Sequence, residues 1–220
     1  MDVFELNTKA PIRIETFMGT NIYYIDDFYR FPNLILKLLD TIPAKAHQPW
    51  RDLKFESNNG VYFEDNRQTT AFSEMEKVTS YLSKICGSPL WSDPSIFCMN
   101  KTRFYPYKFN DFQNNFWHPH SDPGYNALIY FNKGDSECGT NLYKEVLPDT
   151  ENQHGEHVFP WRSKSKWEIV KTLEPKFNRC VLFDGGQFPH GMHITNERYF
   201  GNEYRLNQVV FFEKKQKQKE

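Results

Sequence analysis

The chain has 220 residues and a formal net charge of -1, a length at which a mixed domain folds around one core, so we expect a single domain over 1–220. A charge this close to zero creates no overall positive field, so neither nucleic acid nor an anionic membrane is an expected partner. No apolar run approaches the roughly 20 residues of a membrane span, and the N-terminus lacks the pattern of a secretory signal. We therefore expect a cytoplasmic protein.

Runs rich in β-branched and aromatic residues, bounded by turn formers, predict many short strands. The predicted strands are 12–17, 21–25, 61–63, 95–105, 125–132, 140–145, 166–173, 178–184 and 204–212. Most of them follow Pro94, after a helical preface. This order favours an α+β domain whose sheets form a sandwich or an open barrel.

Two helices are predicted ahead of the strand-rich part. Apolar residues recur at helical spacing over about 32–42 and again over about 73–86. The second helix begins with a capping box, Ser73 followed by Glu76. We expect both helices to pack on one sheet.

Three further segments are predicted to be irregular or solvated. Residues 44–70 form a long loop rich in turn signals, and the polar segment 149–165 reads as a flexible insertion beside the mouth of the domain. The charged end, about 214–220, is predicted to be a disordered tail. The four scattered cysteines, Cys86, Cys98, Cys138 and Cys180, form no CxxC pair and are expected to be reduced thiols.

The most informative stretch runs from Trp117 to Tyr143 and contains a His-x-Asp sequence at His120 and Asp122. Side chains two positions apart leave the same face of an extended backbone, so this imidazole and this carboxylate can bind one ion side by side. His190, at the end of a distant apolar run, offers a third ligand. Two histidines and one carboxylate are the facial triad of non-haem iron(II) sites. A surface turn is the competing interpretation, because Pro119, Pro123 and their neighbours are turn formers.

The order of these pieces resembles the iron(II)- and 2-oxoglutarate-dependent dioxygenases, in particular the small prolyl-hydroxylase-like members. The likeness covers most of the chain. The resemblance rests on the His-x-Asp, the distal histidine and Arg205 on the last strand. It also rests on segments similar to the family's opening strand, its middle strand and the strand before the second histidine. These segments are 24–28, 139–143 and 176–183.

The resemblance implies a double-stranded β-helix, the jelly-roll or cupin-like core, with flanking N-terminal helices and iron(II) in its mouth. His120, Asp122 and His190 would be the metal ligands. The three remaining positions on iron would take the 2-oxo acid of 2-oxoglutarate, as cosubstrate, and O2. Succinate and CO2 would be coproducts of a hydroxylation. Halogenation is not expected, because the halogenases of this superfamily have Gly or Ala where this chain keeps Asp122.

Three residues are expected to bind 2-oxoglutarate. Arg205 lies where the family holds the distal carboxylate, which a planar guanidinium matches with two parallel hydrogen bonds. Asn207, two positions on and on the same face, could assist, although the family more often has Ser or Thr there. Tyr105 is a second candidate partner, with a core tyrosine as the alternative.

Other histidines compete for the metal. His193 follows His190 by three positions and would replace it if the match were out of register. His118 lies two positions before His120. It could bind the metal itself, or it could orient a metal ligand without binding the metal. His154 and His157 could contribute to a zinc site, although no paired cysteines accompany them.

The sequence leaves the substrate and the reaction class open. The last strand has Phe211 where nucleic-acid repair dioxygenases usually carry a second arginine, which disfavours a nucleic-acid substrate. A free amino acid, a peptidyl side chain or another small molecule remains possible. The alternatives to a dioxygenase are a non-enzymatic β-sandwich binding protein and a cupin-like zinc or manganese isomerase. The oligomeric state is not predicted.

Overall fold

The structure is a computed structural model, and it describes residues 2–41, 61–62, 72–88, 90–91, 97–102, 104, 107–134, 136–149, 160–201 and 203–214. The helices in these ranges are α1 (Pro32–Thr41), α2 (Phe72–Cys86) and α3 (Phe109–Asn114), with a 3-10 helix at Glu197–Phe200. The strands are β1 (Ile12–Phe17), β2 (Thr20–Ile25), β3 (Val61–Tyr62), β4 (Leu90–Trp91), β5 (Phe97–Thr102), β6 (Asn115–Trp117), β7 (Tyr125–Tyr130), β8 (Cys138–Glu145), β9 (Trp161–Ser163), β10 (Trp167–Leu173), β11 (Cys180–Asp184), β12 (His190–Ile194) and β13 (Arg205–Lys214).

The strands form one large sheet and two small ones. The large sheet has the order β1-β2-β11-β7-β13-β5-β3, with β4 paired to β13. The second sheet has the order β10-β8-β12, and β6 pairs with β9. From β7 onward the chain passes back and forth between sheets: β7, β11 and β13 belong to the large sheet, β8, β10 and β12 to the three-stranded one, and β9 to the two-stranded one. The fold is mostly β-sheet with few helices, and it is compatible with a jelly-roll sandwich.

Two apolar layers explain why the central strands carry almost no exposed residues. One layer contains side chains from both the large and the three-stranded sheet and therefore fills the space between them; its members include Ile22, Leu128, Leu142, Leu173, Val181 and Phe183. The other layer lies on the opposite face of the large sheet, where Ala127, Ile129 and Leu182 pack with the two long helices. Because side chains alternate along a strand, a strand covered on both faces is apolar at nearly every position.

The two predicted helices are present, and they pack on one face of the large sheet as expected. Ile35 and Leu39 of α1 and Val78 and Leu82 of α2 belong to the outer apolar layer. None of the helices in the described part of the chain combines the length and the apolar character that a membrane span needs.

The prediction of one irregular insertion over 149–165 is wrong at β9. Trp161 pairs with Trp117 of β6, and the two indoles meet edge to face with their ring centroids 5.2 Å apart. Helix α3 and strand β6 were not predicted either. Each is six residues or shorter and is held by aromatic contacts to distant parts of the chain, which a local pattern does not reveal. The zinc candidates His154 and His157, most of the 44–70 loop and the tail beyond Lys214 lie outside the described residues.

Candidate metal centre

The side chains of His120, Asp122 and His190 converge. One ligand atom from each lies within 4.8 Å of the other two. Nε2 of His190 is 3.1 Å from Oδ2 of Asp122, and Nε2 of His120 is 3.8 Å from the same oxygen. Among the described residues these three form the one group of histidine, cysteine or acidic side chains with metal-binding spacing. The converging side chains are two imidazoles and one carboxylate, from the three residues that the sequence analysis put forward as ligands.

Main-chain hydrogen bonds bring these residues together from distant parts of the sequence. His120 and His190 form an isolated antiparallel bridge, in which the amide of His120 donates to the carbonyl of His190 over 3.0 Å and the reverse bond is 2.7 Å. The amide of Asp122 donates to the carbonyl of Gly185 over 3.1 Å. The three side chains are therefore placed where the loop before β7 meets the loop after β11 and the start of β12.

Each imidazole is oriented by a backbone carbonyl. Nδ1 of His120 lies 2.8 Å from the carbonyl oxygen of His118, and Nδ1 of His190 lies 3.0 Å from that of Phe188. A carbonyl oxygen only accepts, so both Nδ1 atoms carry the proton and donate it. A neutral ring held in this way has its lone pair on Nε2, the atom that faces Asp122 and that would bind a metal. This is the usual arrangement by which proteins fix metal-binding histidines.

The carboxylate of Asp122 is held in its ionised form. Burial alone would raise its pKa, but the hydrogen bond with His190, the positive charges that the His190 and His120 rings carry when protonated and the amide of Asn126 together outweigh burial and lower the pKa to about 2. Asn126 was not predicted as a site residue. Its Nδ2 donates to Oδ2 of Asp122 over 2.7 Å and lies 3.0 Å from Nε2 of His190. The signal for it in the sequence is a lone amide in the apolar run of β7.

Arg205 is a buried cation at the start of β13, only 4% exposed. Its Nε donates to the carbonyl of Cys138 over 3.2 Å, and its Nη1 donates to Oδ1 of Asn207 over 2.7 Å. Both partners are neutral, and no carboxylate in the described part of the chain forms an ion pair with it. Asn207 thus orients the guanidinium, while its own Nδ2 is buried without a hydrogen-bond partner. The other predicted residue of this group, Tyr105, lies outside the described residues.

A hydroxyl pair near Arg205 was missed from the sequence. Tyr130 of β7 pairs with Asn207 of β13 in the backbone register, and its hydroxyl donates to Oγ1 of Thr140 over 3.0 Å. Burial raises the pKa of Tyr130 to about 12, although the nearby charge of Arg205 opposes this. Tyr130 therefore stays protonated and lies close enough to the guanidinium to feel its field.

The two neighbouring histidines occupy different places. His193, an odd number of residues after His190, projects from the opposite face of β12, where Asn141 contacts its Nδ1 over 3.1 Å. There it lines a cavity of about 300 Å³ beneath α3, and burial lowers its pKa. His118 stacks on His120 with ring centroids 5.1 Å apart, and its Nδ1 is 3.1 Å from Nη2 of the buried Arg162. His118 is thus placed to orient His120 through its carbonyl and ring.

Comparisons with known proteins find distant similarity among solved structures but none among family models or curated sequences. No family model matches the chain, and no curated protein matches it. Among solved structures, a prolyl 4-hydroxylase from Phytophthora capsici is similar over 88% of this chain, with 14% sequence identity and a TM-score of 0.46. The chain spans 59% of the length of that neighbour. Function has to be inferred from the geometry of the site itself.

Proposed function

We propose that this chain is an iron(II)- and 2-oxoglutarate-dependent dioxygenase that hydroxylates a small-molecule, amino-acid or peptidyl substrate. The observation that carries the proposal is the convergence of His120, Asp122 and His190, with both Nε2 atoms directed at an ionised carboxylate. If the His-x-Asp sequence were only a surface turn, we would not expect its side chains to converge with a distant histidine in this orientation.

The spacing of the donor atoms suits an octahedral ion. First-row divalent metals bind nitrogen and oxygen at roughly 2.1 Å, so two ligands at right angles lie about 3.0 Å apart. The 3.1 Å between Asp122 and His190 matches this value, and the 3.8 Å between His120 and Asp122 requires a closure of less than about 1 Å. Nitrogen and oxygen donors without a thiolate suit iron(II).

We further propose that the strands form a double-stranded β-helix with the metal between its sheets. Support comes from the alternation of β7, β8, β11, β12 and β13 between the two sheets. In this arrangement the start of β12, which carries His190, belongs to one sheet and β13, which carries Arg205, to the other. Both residues are buried, so the metal and the cation would face one interior.

Arg205 is the proposed partner of the distal carboxylate of 2-oxoglutarate. A buried guanidinium whose recorded partners are neutral favours an anionic ligand, because an uncompensated buried charge is costly. Along β7, Asn126 at the triad end and Tyr130 toward the Arg205 end share one face with Leu128, and four steps of about 3.3 Å, or about 13 Å, separate Asn126 from Tyr130. This face of β7 is polar at both ends and apolar in the middle. That pattern suits a short dicarboxylate that is bound by side chains extending toward it from each end.

The residues divide the work of the reaction. His120, Asp122 and His190 would hold the metal; bound iron(II) would couple the decarboxylation of 2-oxoglutarate to the activation of O2. Arg205 would orient the cosubstrate, and the buried layer between the sheets would exclude water. One oxygen atom of O2 would enter the substrate and the other succinate, with CO2 released. Asp122 fills the position that would otherwise be open to chloride, so the product would carry oxygen and no halogen.

The proposal is tested by succinate formation. Purified protein is supplied with iron(II), 2-oxoglutarate, O2 and a panel of amino acids and peptides, and succinate is measured against an Asp122→Ala variant. We expect succinate from the unmutated protein and none above background from the variant. Metal binding without consumption of 2-oxoglutarate would favour the cupin-like isomerase, and the absence of metal binding would favour the β-sandwich binding protein.

A further inference from the structure

Asn126 is a buried amide beside the candidate metal ligands. It lies on β7 with no exposed surface, four residues after Asp122. Its Nδ2 is 2.7 Å from Oδ2 of Asp122 and 3.0 Å from Nε2 of His190. One nitrogen therefore contacts two of the three atoms that would bind the ion.

The contact links two groups that a metal ion would otherwise link. Oδ2 of Asp122 and Nε2 of His190 lie 3.1 Å apart, and the ring of His190 is held by the contact of its Nδ1 with the carbonyl of Phe188. The amide nitrogen of Asn126 carries two N–H groups. It donates to Oδ2 of Asp122 and also contacts Nε2 of His190, so one side chain bridges two of the three candidate ligand atoms.

The position of this amide is fixed by Gly185. A Cβ added at Gly185 would lie 2.9 Å from Cγ, Nδ2 and Oδ1 of Asn126, so the amide packs directly on the glycine backbone. The same glycine accepts the amide proton of Asp122 through its carbonyl. Oδ1 of Asn126 is buried without a hydrogen-bond partner. An asparagine retained only for stability would satisfy both ends of its amide, so the single satisfied end points to a role at the ligand atoms.

We propose that Asn126 is a positioning residue for the metal centre, which holds Asp122 and His190 at the spacing of neighbouring ligands, and that Gly185 keeps its amide in place. This inference rests on the metal site of the proposed function and not on the identity of the cosubstrate. With a metal bound, Nε2 of His190 would face the ion, and the hydrogen bond from Asn126 to Asp122 would orient the carboxylate.

The test is the affinity for Co(II), followed by the visible absorption of the bound ion in the absence of any 2-oxo acid. Loss of a group that orients metal ligands typically weakens metal binding by about 10–100-fold. We expect this loss in Asn126→Ala and in Gly185→Ala. The matched control is Asn141→Ala, because Asn141 is also a buried asparagine with side-chain hydrogen bonds, to Tyr143 and Thr172, but near His193 instead of the triad. Its Co(II) affinity should stay within about twofold of the unmutated value.

A third variant separates positioning from packing. Asn126→Asp keeps the shape of the side chain but replaces the donor with another acceptor, so the metal-free protein should melt at a lower temperature. Co(II) should then raise its melting temperature by more than it raises that of the unmutated protein. Unchanged Co(II) affinity in both Asn126→Ala and Gly185→Ala would overturn the positioning role while leaving the proposed function standing. If the unmutated protein binds no Co(II), both fail.

Discussion

Removing Arg205 should weaken the binding of 2-oxoglutarate by about a hundredfold. Each hydrogen bond to a charged group contributes about 1.5–3 kcal/mol, and a bidentate pair with a carboxylate uses two. Part of this free energy is regained in the variant, because water can enter the space of the lost side chain and solvate the carboxylate. A net loss of about 3 kcal/mol corresponds to roughly a hundredfold in affinity. Arg205 is 4% exposed, so solvent screens the pair little.

The assay compares two 2-oxo acids in Arg205→Ala and in the unmutated protein. 2-Oxoglutarate carries the distal carboxylate, whereas 2-oxopentanoate has a methyl group in its place. The affinity for 2-oxoglutarate should fall about a hundredfold, and the affinity for 2-oxopentanoate should change by less than about threefold, because only the first ligand uses the cation. Arg30→Ala is the control for net charge, since Arg30 forms an exposed ion pair with Glu5.

Two results would refute this reasoning. An unchanged Michaelis constant for 2-oxoglutarate in a folded Arg205→Ala protein would mean that the distal carboxylate binds elsewhere. An equal loss for both 2-oxo acids would mean that Arg205 supports the pocket without contacting the carboxylate.

Two further predictions concern stability. Leu82→Ala should lower the free energy of unfolding by about 2–5 kcal/mol, because Leu82 is fully buried between α2 and the large sheet. Urea unfolding measures this free energy. The control Lys84→Ala, on the exposed side of the same helix, should change it by less than about 0.5 kcal/mol. Asp26→Asn should also destabilise the protein at neutral pH, because Arg179 donates two hydrogen bonds, of 2.6 and 3.1 Å, to the carboxylate. Those bonds lower the pKa of Asp26 below its ordinary 3.8, so the stabilisation is complete above that pH and is lost as the pH falls through the lowered value. The difference in unfolding free energy between the two proteins should therefore shrink below pH 3.8; a constant difference would contradict the assignment.

The elements with strong local patterns were predicted from the sequence. The two long helices have an apolar period of 3.6, which follows from one buried face. The central strands are short, nearly continuous apolar runs between turn formers, the pattern of a strand buried on both faces. Strand β12 was not predicted, because its sequence, His190 to Ile194, mixes polar and small residues. It is a strand because Leu142 and its neighbours in β8 pair with it. Such pairing depends on two segments that are distant in the sequence. It therefore produces no periodic pattern of apolar residues in either segment.

The candidate ligands were found because chemistry restricts which residue types bind a metal, but the choice between His190 and His193 needed the strand register. The two lie three residues apart, so they project from opposite faces, and only the antiparallel bridge to His120 shows which one faces the triad. Asn126 and Tyr130 were missed for a related reason. A polar residue in a buried strand is conspicuous in the sequence, but its partner across the sheet is not.

The most direct test of the central claim is the visible spectrum of the protein with iron(II) and 2-oxoglutarate under anaerobic conditions. When iron(II) is held by His120, Asp122 and His190 and chelated by the 2-oxo acid, a metal-to-ligand charge-transfer band should form with one equivalent of iron per chain. The band requires no knowledge of the substrate. We predict that it appears in the unmutated protein and disappears in His190→Ala. Its absence from folded, iron-saturated, unmutated protein, or its persistence in His190→Ala, would contradict the assignment of the metal centre.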